Sequence, residues 1–235
     1  VAASNAYNQI IEKDLDSKMN RTKERPLPTG RFSDALALTI AFSLTILGGG
    51  LLYFLNLKTA FFGLLSVILY ALVYTPLKTK TSLSVFVGAF PGAIPFMLGW
   101  VGATGSFGIE AGTLFMIQFF WQFPHFWAIA WISYEDYAKA GFYLLPTSQK
   151  DGRNKNTAVQ SAFYVICLIL ISFVPYTLGI SGLIACTIML FSGFFFLYFA
   201  VRLYQKCTRV AARHLMLSSL VYQLVVFIAL MADKI

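Results

Sequence analysis

Seven long apolar stretches constrain the fold of this chain more than any other feature. A helix needs about 20 apolar residues to cross the roughly 30 Å hydrocarbon core of a bilayer, and each stretch has about that length. They cover residues 34–55, 60–78, 84–104, 111–134, 158–179, 182–203 and 212–232. Hydrophobic residues make up 58% of the chain and charged ones only 12%, which excludes disorder and disfavours a soluble globular domain. We therefore expect an all-α, polytopic transmembrane helix bundle that occupies 1–235 as a single domain.

The first residues of the chain lack the pattern of a signal peptide. Residues 2–19 have no basic segment followed by an apolar core, and they are polar toward their end. The chain also begins with Val1 rather than with Met. We expect these residues to form the last turns of an eighth helix, in a chain truncated at its N-terminus that keeps about seven complete spans.

Lys and Arg residues are concentrated in alternate loops between the seven predicted spans. Of the 18 basic residues, only Lys58 and Lys234 lie outside these loops. The others are Lys13, Lys18, Arg21, Lys23, Arg25, Arg31, Lys78, Lys80, Lys139, Lys150, Arg153, Lys155, Arg202, Lys206, Arg209 and Arg213. Because positive charge stays on the cytoplasmic side, we expect these loops to be cytoplasmic. The net charge of +8 then reflects topology, and we expect no nucleic-acid partner.

Acidic residues share the basic loops, although topology alone gives them no role there. Asn8, Glu12 and Asp16 recur every four residues, which places them on one face of a helix. Two carboxylates and an amide oxygen suit Mg²⁺, which completes its coordination with water and substrate phosphates. Asp16 is expected near water at the helix end. The alternative is a solvated helix end with ordinary surface ion pairs.

Basic residues follow the acidic stripe closely. Lys18, Arg21, Lys23, Arg25 and Arg31 all lie before the first predicted span. Arg guanidinium and Lys ammonium groups bind phosphate oxygens. Acidic residues that bind the metal, followed by these basic residues, therefore suit the binding of a Mg²⁺–diphosphate. Pro26, Pro28 and Gly30 are expected to end the helix in a tight loop.

A second basic group lies where a predicted span meets the cytoplasmic side. It comprises Lys78 and Lys80, with Tyr74 one helical turn earlier. These lysines would serve equally well as topology markers whose charged ends reach the interface. The next span contains Gly88 and Gly99, and such small residues favour close helix packing.

The predicted span 111–134 is unusually polar. It contains Trp121, Gln122, His125 and Trp127, and polar groups inside a membrane span are candidates for function. On one continuous helix, Asp136 would lie on the same face as His125, about 16 Å further along the axis. The alternative to a functional role is that His125 is a hydrogen-bonded packing residue.

Two motifs resemble those of the UbiA-type intramembrane prenyltransferases, and in particular the branch that farnesylates protohaem IX. The first is Asn-x-x-x-Glu-x-Asp-x-Asp-x-x-Met-x-Arg-Thr-x-x-Arg-Pro-Leu-x-x-Gly, over 8–30. The second is Trp-Gln-x-Pro-His-Phe followed by Glu-Asp-Tyr, over 121–126 and 135–137. The wider family often has Asp-x-x-x-Asp at the second site, but Ala140 replaces the later Asp here. Relative to the nine helices of the family, we expect this chain to lack the first helix and most of the second.

The resemblance implies a helix bundle around a cavity that transfers farnesyl from farnesyl diphosphate to a vinyl group of protohaem IX. It implies that Mg²⁺ and the diphosphate are held by Asn8, Glu12, Asp16 and Asp136. Further diphosphate contacts are expected from Arg21, Arg25, Tyr74, Lys78 and Lys80, and haem or prenyl contacts from Trp121, Gln122, His125 and Trp127. The expected setting is the bacterial cytoplasmic (inner) membrane, with the site on the cytoplasmic side. Expected partners are the lipid bilayer and haem A synthase or terminal oxidase assembly.

Two alternatives remain at this stage. One is another aromatic prenyltransferase of the same family, in quinone or chlorophyll synthesis, although the Trp-Gln-x-Pro-His-Phe string disfavours it. The other is a transporter, which would place acidic residues near the membrane midplane on several spans. Here the acids instead lie beside basic residues in the loops.

Overall fold

The computed structural model describes residues 1–146 and 153–234, and every regular element within these ranges is helical. Six segments are long and apolar enough to cross a membrane: Asp34–Leu55, Leu57–Leu77, Ser84–Thr104, Lys155–Thr177, Leu183–Lys206 and Arg209–Ala232. They confirm the predicted polytopic helical fold, and each agrees with a predicted span to within about one helical turn. Lys150 lies outside the described residues.

The one remaining predicted span, 111–134, forms a helix of 24 residues, Ile109–Ile132. It is long enough to cross a bilayer but is not among the six apolar segments, because Gln118, Gln122 and His125 make it more polar. This helix ends at Ile132, and a separate helix begins at Tyr134 after Ser133, whose φ is −101° and ψ 20°. The expectation that His125 and Asp136 share the face of one continuous helix is therefore wrong.

Two compact units make up the described chain. The first comprises Val1–Ser106 and Ser133–Leu144, and the second comprises Phe107–Ile132 and Leu145–Ile235. Helices in the first unit are α1 (Ala2–Ile11), α2 (Lys13–Asp16), α3 (Asp34–Leu55), α4 (Leu57–Ile68), α5 (Thr75–Leu77), α6 (Ser84–Thr104) and α8 (Tyr134–Ala140). Those in the second are α7 (Ile109–Ile132), α9 (Lys155–Ile171), α10 (Val174–Thr177), α11 (Leu183–Lys206) and α12 (Arg209–Ala232).

Polar caps set the ends of the long helices in the first unit. The Ser33 hydroxyl accepts a hydrogen bond from Leu36 N–H at the start of α3. Asn56 separates α3 from α4, and its Oδ1 accepts from Thr59 N–H at 2.8 Å. These bonds satisfy backbone donors that a helix leaves free at its N-terminus. In the same unit, α1 packs on α3, α3 on α4 and α4 on α6.

A wide π-helical segment, Leu69–Tyr74, joins α4 to α5. Pro76 follows it and has no N–H to donate to the preceding turn. The Thr75 hydroxyl donates to the carbonyl of Tyr70 at 2.9 Å, and the same carbonyl accepts the Thr75 backbone N–H. Segments of this kind are frequent at functional sites, and this one places the Tyr74 side chain beside Lys78.

The second unit is a bundle in which α7, α9, α11 and α12 pack pairwise. Its core contains Trp131, Val165, Phe196 and Leu215, all almost completely buried. The Tyr222 hydroxyl is also buried, and it lies 3.1 Å from Ser172 Oγ. This contact offsets the cost of burying the two hydroxyl groups in an apolar setting.

Candidate active site

The predicted acidic stripe forms, although the helix that carries it is interrupted. Helix α1 ends at Ile11 and α2 begins at Lys13, with Glu12 between them at φ −98° and ψ 10°. Glu12 N–H nevertheless donates to the carbonyl of Asn8 at 2.9 Å, and Asp16 N–H donates to that of Glu12 at 2.7 Å. This four-residue spacing keeps the three side chains on one face, and all three are buried.

Glu12 forms a buried ion pair with Lys78. Lys78 Nζ lies 2.5 Å from Glu12 Oε1, and side-chain exposure is 8% for Lys78 and 5% for Glu12. Burial raises the pKa of Glu12, and the nearby Lys78 charge opposes that shift. Burial likewise lowers the pKa of Lys78, opposed by Glu12. Each charge therefore compensates the desolvation of the other.

Asp16 forms a second ion pair with Arg25, whose Nη1 lies 2.7 Å from Asp16 Oδ2. The loop that follows α2 folds back over the end of this helix. The Thr22 hydroxyl stabilises that fold by donating a hydrogen bond to the Asp16 carbonyl at 2.9 Å. Asp16 is only 1% exposed. The expectation that it lies near water is wrong, because the loop after α2 folds over it and supplies a guanidinium partner.

Asp136, at the start of α8, holds the loop that carries Arg21. Its Oδ2 accepts from the backbone N–H of Arg21 at 3.2 Å, and its Oδ1 contacts Lys139 Nζ at 3.3 Å. Burial would raise the pKa of Asp136, but hydrogen bonds from the backbone of Arg21 and Asn20 and from Lys139 hold it below its usual value.

The Arg21 side chain rests on Tyr137. Its guanidinium carbon lies 5.7 Å from the ring centroid of Tyr137, and its Nη2 donates to the tyrosine hydroxyl at 3.3 Å. Arg21 itself is exposed, so much of its donor capacity is open to a ligand. Burial raises the pKa of Tyr137, which keeps its hydroxyl protonated.

Aromatic rings surround the Lys78 ammonium. Nζ lies 4.9 Å from the ring centroid of Tyr74 and 5.3 Å from that of Phe142. Phe142 is held nearby because the next residue, Tyr143, donates its N–H to the Lys78 carbonyl at 2.7 Å. Lys80, in contrast, is exposed, and the structure does not bring it into this cluster.

The donor set fits Mg²⁺ in part. Glu12 Oε1 is buried in contact with the Lys78 ammonium, so a cation bound at this oxygen would replace that ion pair. Within 1–146 and 153–234, no group of three or more His, Cys, Asp or Glu side chains is placed to hold a metal. Asp136 thus does not join Glu12 and Asp16 in a preformed three-carboxylate site. Two carboxylates suffice for Mg²⁺ when substrate phosphates supply further oxygens.

The second unit carries the predicted haem or prenyl contacts. Trp121 and His125 stack on one face of α7, with ring centroids 4.5 Å apart. Gln122 Nε2 donates to the carbonyl of Gln118 at 3.2 Å. Trp127 is buried, and its indole Nε1 is among the buried donors that have no hydrogen-bond partner in the described chain.

Several residues of these sites escaped the sequence analysis. Thr75 accepts from Asn8 Nδ2 at 3.3 Å, and its place directly before Pro76 is the only sequence signal. Tyr137 follows the recognised Asp136, but nothing in the pattern predicts its contact with Arg21. Ser219 lies on α12, far along the chain from His125, with which it makes a 2.7 Å contact. Serine is ordinary in membrane helices, so no sequence signal marks it.

Membrane-capable helices and a buried acid–base cluster define this protein as an integral membrane enzyme. A model described as the UbiA prenyltransferase family matches residues 1–229. The chain belongs to this family and is a prenyltransferase.

Two curated relatives of this chain have the same name. A protein of Flavobacterium johnsoniae named "Protoheme IX farnesyltransferase" is 57% identical, over 100% of this chain and 78% of the relative. One of Cytophaga hutchinsonii with the same name is 45% identical, over 99% of this chain and 81% of the relative.

A solved structure shows the same fold. It comes from work titled "Structural and mechanistic insights into the biosynthesis of Digeranylgeranylglyceryl phosphate synthase in membranes". Its TM-score is 0.79 at 21% identity, over 99% of this chain and 80% of that chain.

Proposed function

We propose that this protein transfers the farnesyl group of farnesyl diphosphate to a vinyl group of protohaem IX, which gives haem O, and that the reaction depends on Mg²⁺. The observation that carries the diphosphate part is the buried cluster in which Glu12 pairs with Lys78 and Asp16 with Arg25. The haem and farnesyl assignments are supported by the names of the two curated relatives.

The cluster of the first unit suits a metal–diphosphate because its ion pairs can exchange partners. Glu12 and Asp16, with the Asn8 amide, would hold Mg²⁺, whereas Lys78 and Arg25 would turn to phosphate oxygens. Asp136 holds the Arg21 backbone in place, and we retain it as a further candidate ligand. When bound, Mg²⁺ supplies Lewis acidity that favours departure of the diphosphate.

The reaction breaks the allylic C–O bond of farnesyl diphosphate and forms a C–C bond to the haem vinyl group. Electrons of the broken bond leave with diphosphate, where Lys78, Arg25 and Arg21 would neutralise the growing negative charge. The vinyl π electrons attack the farnesyl carbon, and the resulting benzylic-type cation is captured by water. Loss of one proton from that water then yields the hydroxyl group of the product.

Aromatic residues supply the remaining chemistry in this proposal. Tyr74 already lies against a cation, the Lys78 ammonium. The indole faces of Trp121 and Trp127 would stabilise the allylic cation in the same manner. Gln122 and His125 would contact the haem or the prenyl chain, and Lys80 would add positive charge that attracts the diphosphate.

We further propose that the protein lies in the bacterial cytoplasmic membrane with its diphosphate site on the cytoplasmic side. The concentration of Lys and Arg in alternate loops supports this orientation. The product would pass to haem A synthase or to terminal oxidase assembly. Both partners are ones that the family resemblance implies.

Purified protein in lipid nanodiscs tests the proposal directly. It would be given ferrous protohaem IX, farnesyl diphosphate and Mg²⁺, and the products would be separated by mass spectrometry. We expect a haem whose mass has increased by one farnesyl group and one hydroxyl group, together with inorganic diphosphate. Unchanged haem in this assay, together with prenylation of a quinone precursor in a parallel reaction without haem, would contradict the haem assignment.

A further inference from the structure

Helix α12 binds both members of the stacked pair on α7 through a single residue, Ser219. The Ser219 carbonyl accepts from Trp121 Nε1 at 2.8 Å, and Ser219 Oγ lies 2.7 Å from His125 Nδ1. Ser219 is completely buried. One turn further along α12, Gln223 Nε2 donates to Gln118 Oε1 at 2.7 Å. Hydrogen bonds of this kind fix the register of neighbouring helices in a membrane.

A count of protons at Ser219 decides the tautomer of His125. Ser219 Oγ also lies 2.5 Å from the backbone carbonyl of Met216, which can only accept a hydrogen bond. The serine has one hydroxyl proton, so that proton goes to Met216. The contact with His125 is then satisfied only if Nδ1 carries a proton and donates to Oγ.

We infer that Ser219 is a positioning residue that holds His125 as the Nδ1–H tautomer, so that Nε2 keeps its lone pair for the iron of haem. Neither Trp121 nor Phe126, the two ring neighbours of His125, offers Nε2 a hydrogen bond. A neutral imidazole in this tautomer presents no N–H at Nε2. It therefore suits a metal and disfavours a haem propionate, which requires a donor.

The inference rests on the proposed function, because it takes haem as the ligand. Its first part concerns the protein alone, however, and can be tested without haem. The chain has two histidines, and one of them, His214, lies on α12 beside Phe199. In a His214→Gln background, His125 is the only histidine, and its ring nitrogens can be assigned without ambiguity.

Nitrogen NMR of protein labelled with ¹⁵N-histidine reads this tautomer in nanodiscs. We expect a protonated Nδ1 and an unprotonated Nε2 in the haem-free protein, and a mixture of both tautomers in Ser219→Ala. Ser218→Ala is the matched control, because Ser218 is equally buried and donates only to the Leu215 carbonyl. A protonated Nε2 in the parent protein, or a spectrum that Ser219→Ala leaves unchanged, would overturn the inference.

Titration with ferric protohaem IX, followed in the Soret region and by electron paramagnetic resonance, tests the role at the iron. We expect His125→Ala to abolish the signature of a nitrogen ligand, and Ser219→Ala to weaken haem binding by about 10- to 100-fold. Ser218→Ala should leave both unchanged. Equal spectra for the parent and His125→Ala would refute iron ligation even if the parent protein makes haem O. Failure of the parent to make haem O would instead count against the proposed function.

Discussion

Lys78 Nζ and Glu12 Oε1 lie 2.5 Å apart, and the two residues are both buried. They come from distant parts of the sequence, one from the end of α1 and the other from just after α5. A pair of this kind is costly to break because removal of one partner leaves an uncompensated buried charge. The same two residues are our candidates for metal and diphosphate binding, so their structural and functional roles must be tested separately.

Replacing Lys78 with Met should destabilise the protein by about 3–5 kcal/mol, the usual cost of a broken buried ion pair. The measurement is denaturant or thermal unfolding in detergent, followed by tryptophan fluorescence. Lys80→Met is the control, because Lys80 is exposed, and it should change stability by less than about 0.5 kcal/mol. The double variant Glu12→Gln/Lys78→Met should recover most of the loss while remaining inactive. Equal stability of the two single lysine variants would show that the pair contributes little.

Replacing Asp16 with Asn should reduce turnover by about 100-fold or more, because it removes a carboxylate proposed to bind Mg²⁺. Asn fills nearly the same volume, so it tests charge more cleanly than Ala at a position that is 1% exposed. Asp14→Asn, on the exposed side of α2, is the matched control and should remain active. Haem O formation is measured in membranes that contain equal amounts of each variant. An active Asp16→Asn would remove Asp16 from the metal site.

Replacing Arg21 or Arg25 with Lys should raise the KM for farnesyl diphosphate and leave haem affinity unchanged. Lys keeps the charge but loses the planar fork that binds two phosphate oxygens at once. Arg25→Lys should also weaken the contact with Asp16, so its effect should be the larger of the two. Arg31→Lys serves as the control, since Arg31 contacts the Thr29 hydroxyl and the Glu24 carbonyl outside the cluster. A fall in haem affinity instead would mean that this loop binds the propionates.

Mg²⁺ and inorganic diphosphate should stabilise the folded protein together more than either does alone. At a ligand concentration 100 times the Kd, binding to the native state adds about 2.7 kcal/mol. The measurement is the thermal midpoint in detergent, and a chelator should reverse the shift. Glu12→Gln should abolish the joint effect, whereas Asp14→Asn should retain it. A shift that Mg²⁺ does not increase would argue for binding by the basic residues alone.

The helical fold was predictable because long apolar runs have few ways to satisfy their backbone in a membrane. The acidic stripe was predictable for a similar reason, since Asn8, Glu12 and Asp16 follow helical spacing. That residues 1–235 form a single domain stays a prediction. The break at Ser133 was not predictable, because nothing in its immediate sequence distinguishes it from a helical position.

Partners of the site residues were harder to predict than the residues themselves. Contacts such as Lys78 with Glu12, Arg21 with Tyr137 and His125 with Ser219 join segments that are distant in the sequence. Local periodicity contains no information on which distant side chain completes a pair. The burial of Asp16 was unpredictable for the same reason, because it depends on how the loop after α2 folds back over it.

Replacing Gly88 with Ala should disturb the diphosphate site from a neighbouring helix. A Cβ at Gly88 would lie 2.6 Å from Cδ2 of the Tyr74 ring, so the ring must move away from α6. Because the Lys78 ammonium rests against that ring at 4.9 Å, its position relative to Glu12 should change too. We expect a lower kcat and a higher KM for farnesyl diphosphate. Gly99→Ala on the same helix is the control, because a Cβ there meets nothing within 4 Å. It should keep full activity and gain helix propensity, so equal behaviour of the two variants would show that Tyr74 does not position Lys78.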